Sequence, residues 1–435
     1  MTSLALEPTP TTATPDGTAA RPPRRVHRRL AFLLEDLNGG GVQRMTLAVA
    51  RCCLERGHEA RLLVYRAEGV LLDAVPPGVD LVRLEPGSRA LARFRPALAD
   101  PAALPLLALP VLLARKPDWT LAHLESLASY LRREQPDALL TATPRLNLAA
   151  VWARRLAEAG AAGTRLLLSE RTAPSEDLGT GRKWRKRHLP PLMRRTYAQA
   201  EAIVAVSNGV ADDLARLTGL PRERVRTVYN PVVGPELARL AAEPVDHPWF
   251  RPGQSSPVVL GAGRLSGQKD FPTLVRAFAR LRATMPARLV ILGSASTPEL
   301  TAERAGELRA LAAERVVAEH VDLPGFVPNP YAYMARSALF VLSSAFEGFG
   351  NVLVEAMATG CPVVSTDCPS GPAEILDGGR HGPLVPVGDD AALAAAMART
   401  LAAPPDSAAL RRRAGEFTPE RATDAYLEAL FGDDP

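Results

Sequence analysis

Four side chains in the second half of this 435-residue chain have the type and spacing to work on an anionic, hydroxyl-rich ligand. Arg264 and Lys269 stand five apart in the glycine-rich run Leu260-Gly-Ala-Gly263-Arg-Leu-Ser-Gly267-Gln-Lys-Asp270. A guanidinium grips a phosphate through parallel N–H bonds and an ammonium acts as a point charge, which is the pairing a diphosphate leaving group needs. Two solvated charges on a surface loop are the plain alternative. Lysine is rare here, however: only Lys116, Lys183, Lys186 and Lys269 occur among 52 basic residues, so a lysine at this position points to a chemical reason. The run is not a nicotinamide fingerprint. Its third glycine comes one residue late, and no acid follows the next strand at Leu292-Gly-Ser294.

Glu347 and Glu355 form the second pair, in Ala345-Phe-Glu-Gly-Phe349-Gly-Asn351-Val352-Leu-Val-Glu355, with Gly360 further on. Asn351 is expected to cap a short helix that Gly360 ends, which puts Glu355 in its early turns and Glu347 on the loop before it. Both carboxylates then face one cleft. Gly348 and Gly350 permit close backbone approach, and free N–H groups at the helix start suit an anionic or hydroxylated ligand. Dipole compensation for Glu355 and a solvated loop position for Glu347 are the bland alternatives.

In the first half, Asn38-Gly39-Gly40-Gly41 follows a strand and opens a helix. Three consecutive glycines are costly unless backbone must come close to a phosphate or sugar. Ser169-Glu170-Arg171 and Asn230-Pro231 also fall at strand ends, where cleft residues lie.

These positions are held by a regular alternation. Short apolar runs at 30–34, 60–65, 138–141, 165–169, 202–206 and 225–228 read as strands separated by helical patterns. Six prolines from 231 to 257 interrupt it, and strands resume at 258–262, 288–292, 321–323, 339–342 and 363–366. The fold class is α/β, with two doubly wound Rossmann-like domains facing across a cleft. The expected division is a disordered basic tail at 1–26, a first domain at 27–231, a Pro-rich linker at 232–257, a second domain at 258–413, and a terminal helix at 414–435 able to cross back. The apolar stretch 101–114 contains three prolines and reads as a Pro-broken surface or core segment, too short for a bilayer.

The hydrophobic fraction of 47% excludes wholesale disorder. A net charge of +5 with 5% aromatics excludes a strongly cationic nucleic-acid binder. The first 20 residues have no apolar h-region, so neither a signal peptide nor an anchor is expected there. Cys52, Cys53, Cys361 and Cys368 have no metal-site or disulfide spacing and read as buried thiols of a reducing compartment, the cytoplasm. Charge is uneven along the chain. Residues 178–200 hold seven Lys/Arg and no acid, residues 1–29 net +3, and the remainder nets −5. The basic cluster around Arg182, Lys183, Trp184, Arg185, Lys186 and Arg187 reads either as a solvated face or as a polybasic patch on an anionic leaflet, with Trp184 and Leu192 dipping in. The second reading suits an acceptor carried on a membrane lipid, with the protein peripheral at the inner face of the cell membrane.

Taken together, the motifs resemble family 4 of the retaining glycosyltransferases, which have the two-domain GT-B fold. They are NGGGVQRM from 38, SER from 169, VAVSNGV from 204, VYNP from 228, GAGRLSGQKDFPTLVRAF from 261, LPGF from 323, FEGFGNVLVEAMATGCPVVS from 346 and GPAEIL from 371. The resemblance implies that Arg264 and Lys269 neutralise a donor diphosphate and that Glu355 holds the nucleotide ribose. It implies that Glu347 meets sugar hydroxyls beside the backbone of Phe349, Gly350, Asn351 and Val352, with Gly263 in the phosphate loop. Gly39 and Gly40 would close over donor and acceptor. It implies a nucleotide-diphospho-sugar donor, a UDP-sugar by default, a glycan or lipid-linked acceptor, and no metal or other cofactor. The family often carries a first-domain His near the reacting sugar, and residues 141–147 have none; Arg145 and Asn147 are the candidates there, beside Glu170, Arg171 and Asn230. A nucleotide-sugar 2-epimerase or hydrolase, or a silent nucleotide-sugar-binding scaffold, are the competing readings.

Overall fold

The structure, a computed structural model, describes residues 27–113, 118–157, 163–179, 183–251 and 253–432. The expected tail at 1–26 lies outside them. The described chain forms two parallel sheets. The first contains β1 Arg29–Leu34, β2 Glu59–Val64, β3 Asp80–Arg83, β4 Ala138–Ala142, β5 Arg165–Glu170, β6 Ala202–Ala205 and β7 Val225–Thr227, in the order β3-β2-β1-β4-β5-β6-β7. The second contains β8 Val258–Ala262, β9 Arg288–Leu292, β10 Val321–Gly325, β11 Leu339–Leu342, β12 Val363–Thr366 and β13 Leu384–Val385, in the order β10-β9-β8-β11-β12-β13. The central strands are continuous apolar runs, such as Leu339–Leu342 with all four residues buried, because helices cover both faces.

Strand order reverses between β1 and β4 in one sheet and between β8 and β11 in the other. A crevice opens at the carboxyl ends of the strands at such a switch point. Register keeps those ends level in the first sheet: Leu30 lies opposite Ala60 on β2 and Ala138 on β4. The helices Gly41–Glu55, Phe271–Arg282 and Asn351–Thr359 start from these crevices.

Four features differ from the sequence-based expectation. Strands β3 and β13 were not anticipated. Every residue of β3 is exposed or only partly buried, and β13 has two residues, so neither forms a buried apolar run. The Pro-rich segment is not wholly irregular: Glu236–Ala242 is helical, buries Leu237, and is tied to the second domain by Asn329 Nδ2 donating to Leu240 O and Glu243 Oε2, both at 2.8 Å. Prolines 235 and 244 flank this helix without entering it. Leu192 is 3% exposed inside the first core, so it cannot dip into a leaflet.

The terminal helix Pro419–Phe431 packs on the first domain. Arg56 pairs with Asp424 at 2.7 Å, and Arg165 donates to Leu430 O at 2.6 Å. The segment 101–113 runs as short turns, Pro101–Ala103, Leu104–Leu107 and Ala108–Leu112, with Leu104 and Leu113 exposed. Among the described residues, no helix is long and apolar enough to cross a membrane.

Candidate active site

At the second switch point, the loop after β8 and the loop after β11 bring Lys269 and Glu347 together. Lys269 Nζ donates to Glu347 Oε1 at 2.5 Å, with side-chain exposures of 13% and 8%. Ser344 Oγ donates to the same carboxylate oxygen at 2.6 Å, and Gln268 Nε2 to the other at 3.4 Å. The pair is therefore fixed from both loops, as an ion pair this deep must be. Lys269 is placed by a tight local geometry: Asp270 adopts a left-handed conformation (φ 42°), and its carboxylate caps the helix Phe271–Arg282 by accepting from Thr273 N. Gly263 is required beneath it, since a Cβ there would stand 2.8 Å from Lys269 Cε. Arg264 is exposed on the same loop and pairs with no carboxylate among the described residues.

Glu355 lies in the helix Asn351–Thr359 and is partly buried. Burial pushes its carboxyl up to about 7, against the opposing charges of Arg44 and Lys269. Arg44 belongs to the glycine-loop helix Gly41–Glu55 of the first domain, so an electrostatic contact spans the cleft. Tyr331, held protonated chiefly by the charge of Glu355, completes this corner. The expected cap of this helix is different: Gly350 (φ 104°) is the N-cap, without a side-chain hydrogen bond, and Gly360 (φ 85°) ends the helix as anticipated. The Asn351 side chain is engaged elsewhere, accepting from Asn230 Nδ2 at 2.7 Å. Phe349 is buried in a ring cluster with Tyr229 and Phe417 at the domain seam, and Val352 is partly buried beside Asn351.

The glycine loop faces these residues. Gly39 takes φ 95°, Gly40 is the N-cap, and a Cβ on Gly41 would stand 3.6 Å from Asn351 Nδ2. Arg171 reaches Tyr426 OH at 2.9 Å and also donates to Asn230 Oδ1, so Tyr426, Arg171, Asn230 and Asn351 form one chain of hydrogen bonds between the domains. Gly348 sits so tightly in this seam that a Cβ would lie 1.9 Å from Arg171 O. Glu374 of the second domain accepts from Asn208 N at 2.8 Å, Gly209 N at 3.0 Å and Tyr229 OH at 3.0 Å, capping a first-domain helix.

Two anticipated cleft residues are interior instead. Asn147 (0% exposed) donates to Ser169 O, Glu170 Oε1 and Tyr197 OH, each at 3.0 Å, and accepts from Thr141 Oγ1 at 2.6 Å. Glu170 (1% exposed) also accepts from Tyr197 OH. The network lies beside the helices Pro144–Ala157 and Lys183–Tyr197, which supply Asn147 and Tyr197, and these partners are all interior groups of the first domain. Arg145 is exposed, 3.7 Å from Asp118. Of the basic patch, Arg182 and the side chains of Lys183, Trp184, Arg185 and Lys186 lie outside the described residues, while Arg187 is exposed. Glu35, Arg44, Asp118, Tyr331 and Glu374 were not singled out from sequence. Each is a lone polar residue whose meaning comes from a neighbouring element. Among the described residues, no three His, Cys, Asp or Glu side chains converge as metal ligands.

Two family models match the chain: residues 39–233 fit the one described as Glycosyltransferase Family 4, and 256–403 the one described as Glycosyl transferases group 1. The N-acetylgalactosamine-N,N'-diacetylbacillosaminyl-diphospho-undecaprenol 4-alpha-N-acetylgalactosaminyltransferase of Campylobacter jejuni is 32% identical over 232 residues, 52% of this chain and 58% of that protein. The lipopolysaccharide core biosynthesis glycosyltransferase LpsE of Rhizobium meliloti is 30% identical over 54% of this chain and 65% of its own length. In each case the chain covers less than two thirds of the relative. Among solved structures, Anabaena Alr3699/HepE in complex with UDP superposes with a TM-score of 0.68 at 19% identity, covering 92% of this chain and 99% of that one. The lipopolysaccharide outer core galactosyltransferase WaaB, in its apo form, gives 0.67 at 20% identity over 92% of this chain and 99% of its own.

Proposed function

Because the chain belongs to the family 4 glycosyltransferases and has their GT-B fold, we propose that it transfers a hexose or N-acetylhexosamine from a nucleotide-diphospho-sugar to a glycan or lipid-linked acceptor. The observation that carries this reading is the Lys269–Glu347 pair at the second switch point, with Arg264 and Glu355 on the elements beside it. A UDP-sugar is the donor we favour, supported by the HepE structure with UDP. A lipid-linked acceptor is supported by the Campylobacter relative, whose name specifies a diphospho-undecaprenol substrate. The setting is cell-envelope or exopolysaccharide synthesis, at the cytoplasmic face of the membrane.

In the reaction proposed, the bond between the anomeric carbon and the diphosphate oxygen breaks, and its electron pair leaves with the diphosphate. The acceptor hydroxyl bonds to the same face of that carbon, retaining configuration, and its proton passes to the departing phosphate oxygen. Arg264 and Lys269 stabilise the charge growing on the diphosphate, the role a metal ion fills elsewhere. Glu347 is held by Lys269, Ser344 and Gln268, which suits it to receiving sugar hydroxyls rather than attacking carbon. Glu355 takes the ribose hydroxyls.

A thermal-shift screen of nucleotide sugars tests the donor assignment: a cognate donor at 100 times its Kd adds about 2.7 kcal/mol of stability. Absence of a shift with every UDP-sugar would remove the UDP assignment. Product formed from donor without any acceptor would identify a hydrolase or epimerase instead.

A further inference from the structure

Three motifs of the sequence, VAVSNGV from 204, VYNP from 228 and GPAEIL from 371, have no part in the reaction proposed, yet they meet at one place between the domains. Glu374 lies in the short helix Pro372–Ile375 of the second domain, and its carboxylate accepts from three first-domain groups. Asn208 N, at 2.8 Å, and Tyr229 OH, at 3.0 Å, donate to Oε2, and Gly209 N donates to Oε1 at 3.0 Å. The two amides open the helix Asn208–Thr218, where free N–H groups and the helix dipole favour a negative charge. Burial and the charge of Glu374 push the Tyr229 phenol up to about 12, so it stays protonated and donates. Ser207, which is fully buried, caps the same helix: its Oγ accepts from Val210 N and donates across the seam to Gly348 O at 2.7 Å.

The grip falls on the loop that carries Glu347. Gly348 follows Glu347 directly, so a first-domain hydroxyl holds the carbonyl next to the acid. From the second domain, Glu347 N donates to Pro369 O at 3.1 Å, and Gly371 packs so closely that a Cβ there would stand 1.9 Å from Phe349 O. Arg413 pins the short helix that carries Glu374, donating to Glu374 O at 2.6 Å and to Ile375 O at 3.0 Å. One continuous path of contacts therefore runs from the start of a first-domain helix, through Ser207 and Glu374, to the backbone on either side of Glu347. The bonds of the Glu347 side chain to Lys269, Ser344 and Gln268 set where its carboxylate points, and the backbone bonds set where it stands. A group that receives sugar hydroxyls has to be held to within about 0.5 Å, which takes both.

We propose that Ser207 and Glu374 are positioning residues: through them the first domain sets Glu347 for the sugar of the donor, although neither touches the donor itself. The inference rests on the glycosyltransferase reading, in which Glu347 receives sugar hydroxyls. Loss of either residue is then felt by the sugar and not by the nucleotide, because Arg264 and Glu355, which serve the diphosphate and the ribose, stand on elements of the second domain outside this path.

The test measures, by isothermal titration calorimetry on the full chain, the dissociation constants of UDP, UDP-glucose, UDP-galactose, UDP-N-acetylglucosamine and UDP-N-acetylgalactosamine. The ratio of Kd for the tightest UDP-sugar to Kd for UDP is then compared between the native protein and two variants. Glu374→Gln keeps the shape but turns an amide N–H towards the helix start, and Ser207→Ala removes the bond to Gly348 O. Each raises the ratio about tenfold, the size of one lost hydrogen bond, while UDP itself binds as it does to the native protein. A merely structural role lowers Tm and leaves the ratio native, because both ligands are measured on the same folded molecules. The positioning role is overturned if both variants keep the native ratio, if UDP affinity falls by the same factor as that of the sugar, or if UDP binds and none of the four UDP-sugars does. If the native protein binds neither UDP nor any UDP-sugar, the UDP-donor reading falls, and the inference with it.

Discussion

Glu355 should make the protein less stable as pH rises, and replacing it should remove that contribution. Its carboxyl is raised from 4.5 to about 7 by burial, with Arg44 and Lys269 offsetting part of the penalty. An acid raised on folding binds more protons in the folded than in the unfolded state between those two values. Stability therefore falls as pH climbs through the window and levels off above about 7. A rise of about 2.5 pH units at about 1.36 kcal/mol each amounts to roughly 3 kcal/mol of destabilisation at pH 8, with almost none at pH 4. Glu355→Gln keeps the shape and cannot ionise. Measured by calorimetry without nucleotide, the variant and the native protein should melt together near pH 4. At pH 8 the variant should melt higher, by roughly 6 to 12 °C for a unit of about 200 residues. A constant gap at both pH values would refute the reasoning, since it would mean the effect is packing and not charge. UDP should restore the advantage of the native residue at pH 8, because ribose hydroxyls donate to the carboxylate form.

Lys269→Ala should lower kcat by about 10²- to 10³-fold, the usual effect of losing one preorganised contact to a charged leaving group, and also leave Glu347 buried without its cation; steady-state kinetics with a cognate donor and acceptor would show it, and near-normal turnover would remove Lys269 from the reaction. Gly348→Ala places a Cβ 1.9 Å from Arg171 O of the other domain. It should force the domains apart, seen as a larger radius of gyration in solution scattering together with lost turnover. Asn147→Ala strips the partners from Glu170, Tyr197 and Thr141 in the interior, at about 2 to 4 kcal/mol. The urea midpoint should fall, while turnover per folded molecule stays near native; selective loss of turnover would return Asn147 to the cleft.

The second-domain side of the candidate site was legible in the sequence for a physical reason that does not extend to the first-domain side. Around Lys269 and Glu347 the chemistry is local. Backbone must pass close to other groups at Gly263 and Gly348, so glycines accumulate beside the charged residues that need them, and each pattern lies within a dozen residues of its own strand end, after β8 or after β11. Central strands were visible for a similar reason, since burial on both faces leaves an uninterrupted apolar run, whereas β3 at the sheet edge has no such run and was missed. Between the domains the contacts run from Tyr426 through Arg171 and Asn230 to Asn351, side chains that lie about 60 to 250 positions apart. No window of sequence contains them together, and each taken alone is an ordinary polar residue. Asn147 and Glu170 failed for the converse reason. Their positions at strand ends suggested a cleft, but whether a strand end faces solvent or a covering helix is decided by how Pro144–Ala157 and Lys183–Tyr197 pack, which is a long-range outcome. The parts of this molecule that sequence conceals are thus those assembled from elements far apart in the chain, where the partner of each polar group is decided by packing and not by its neighbours in sequence.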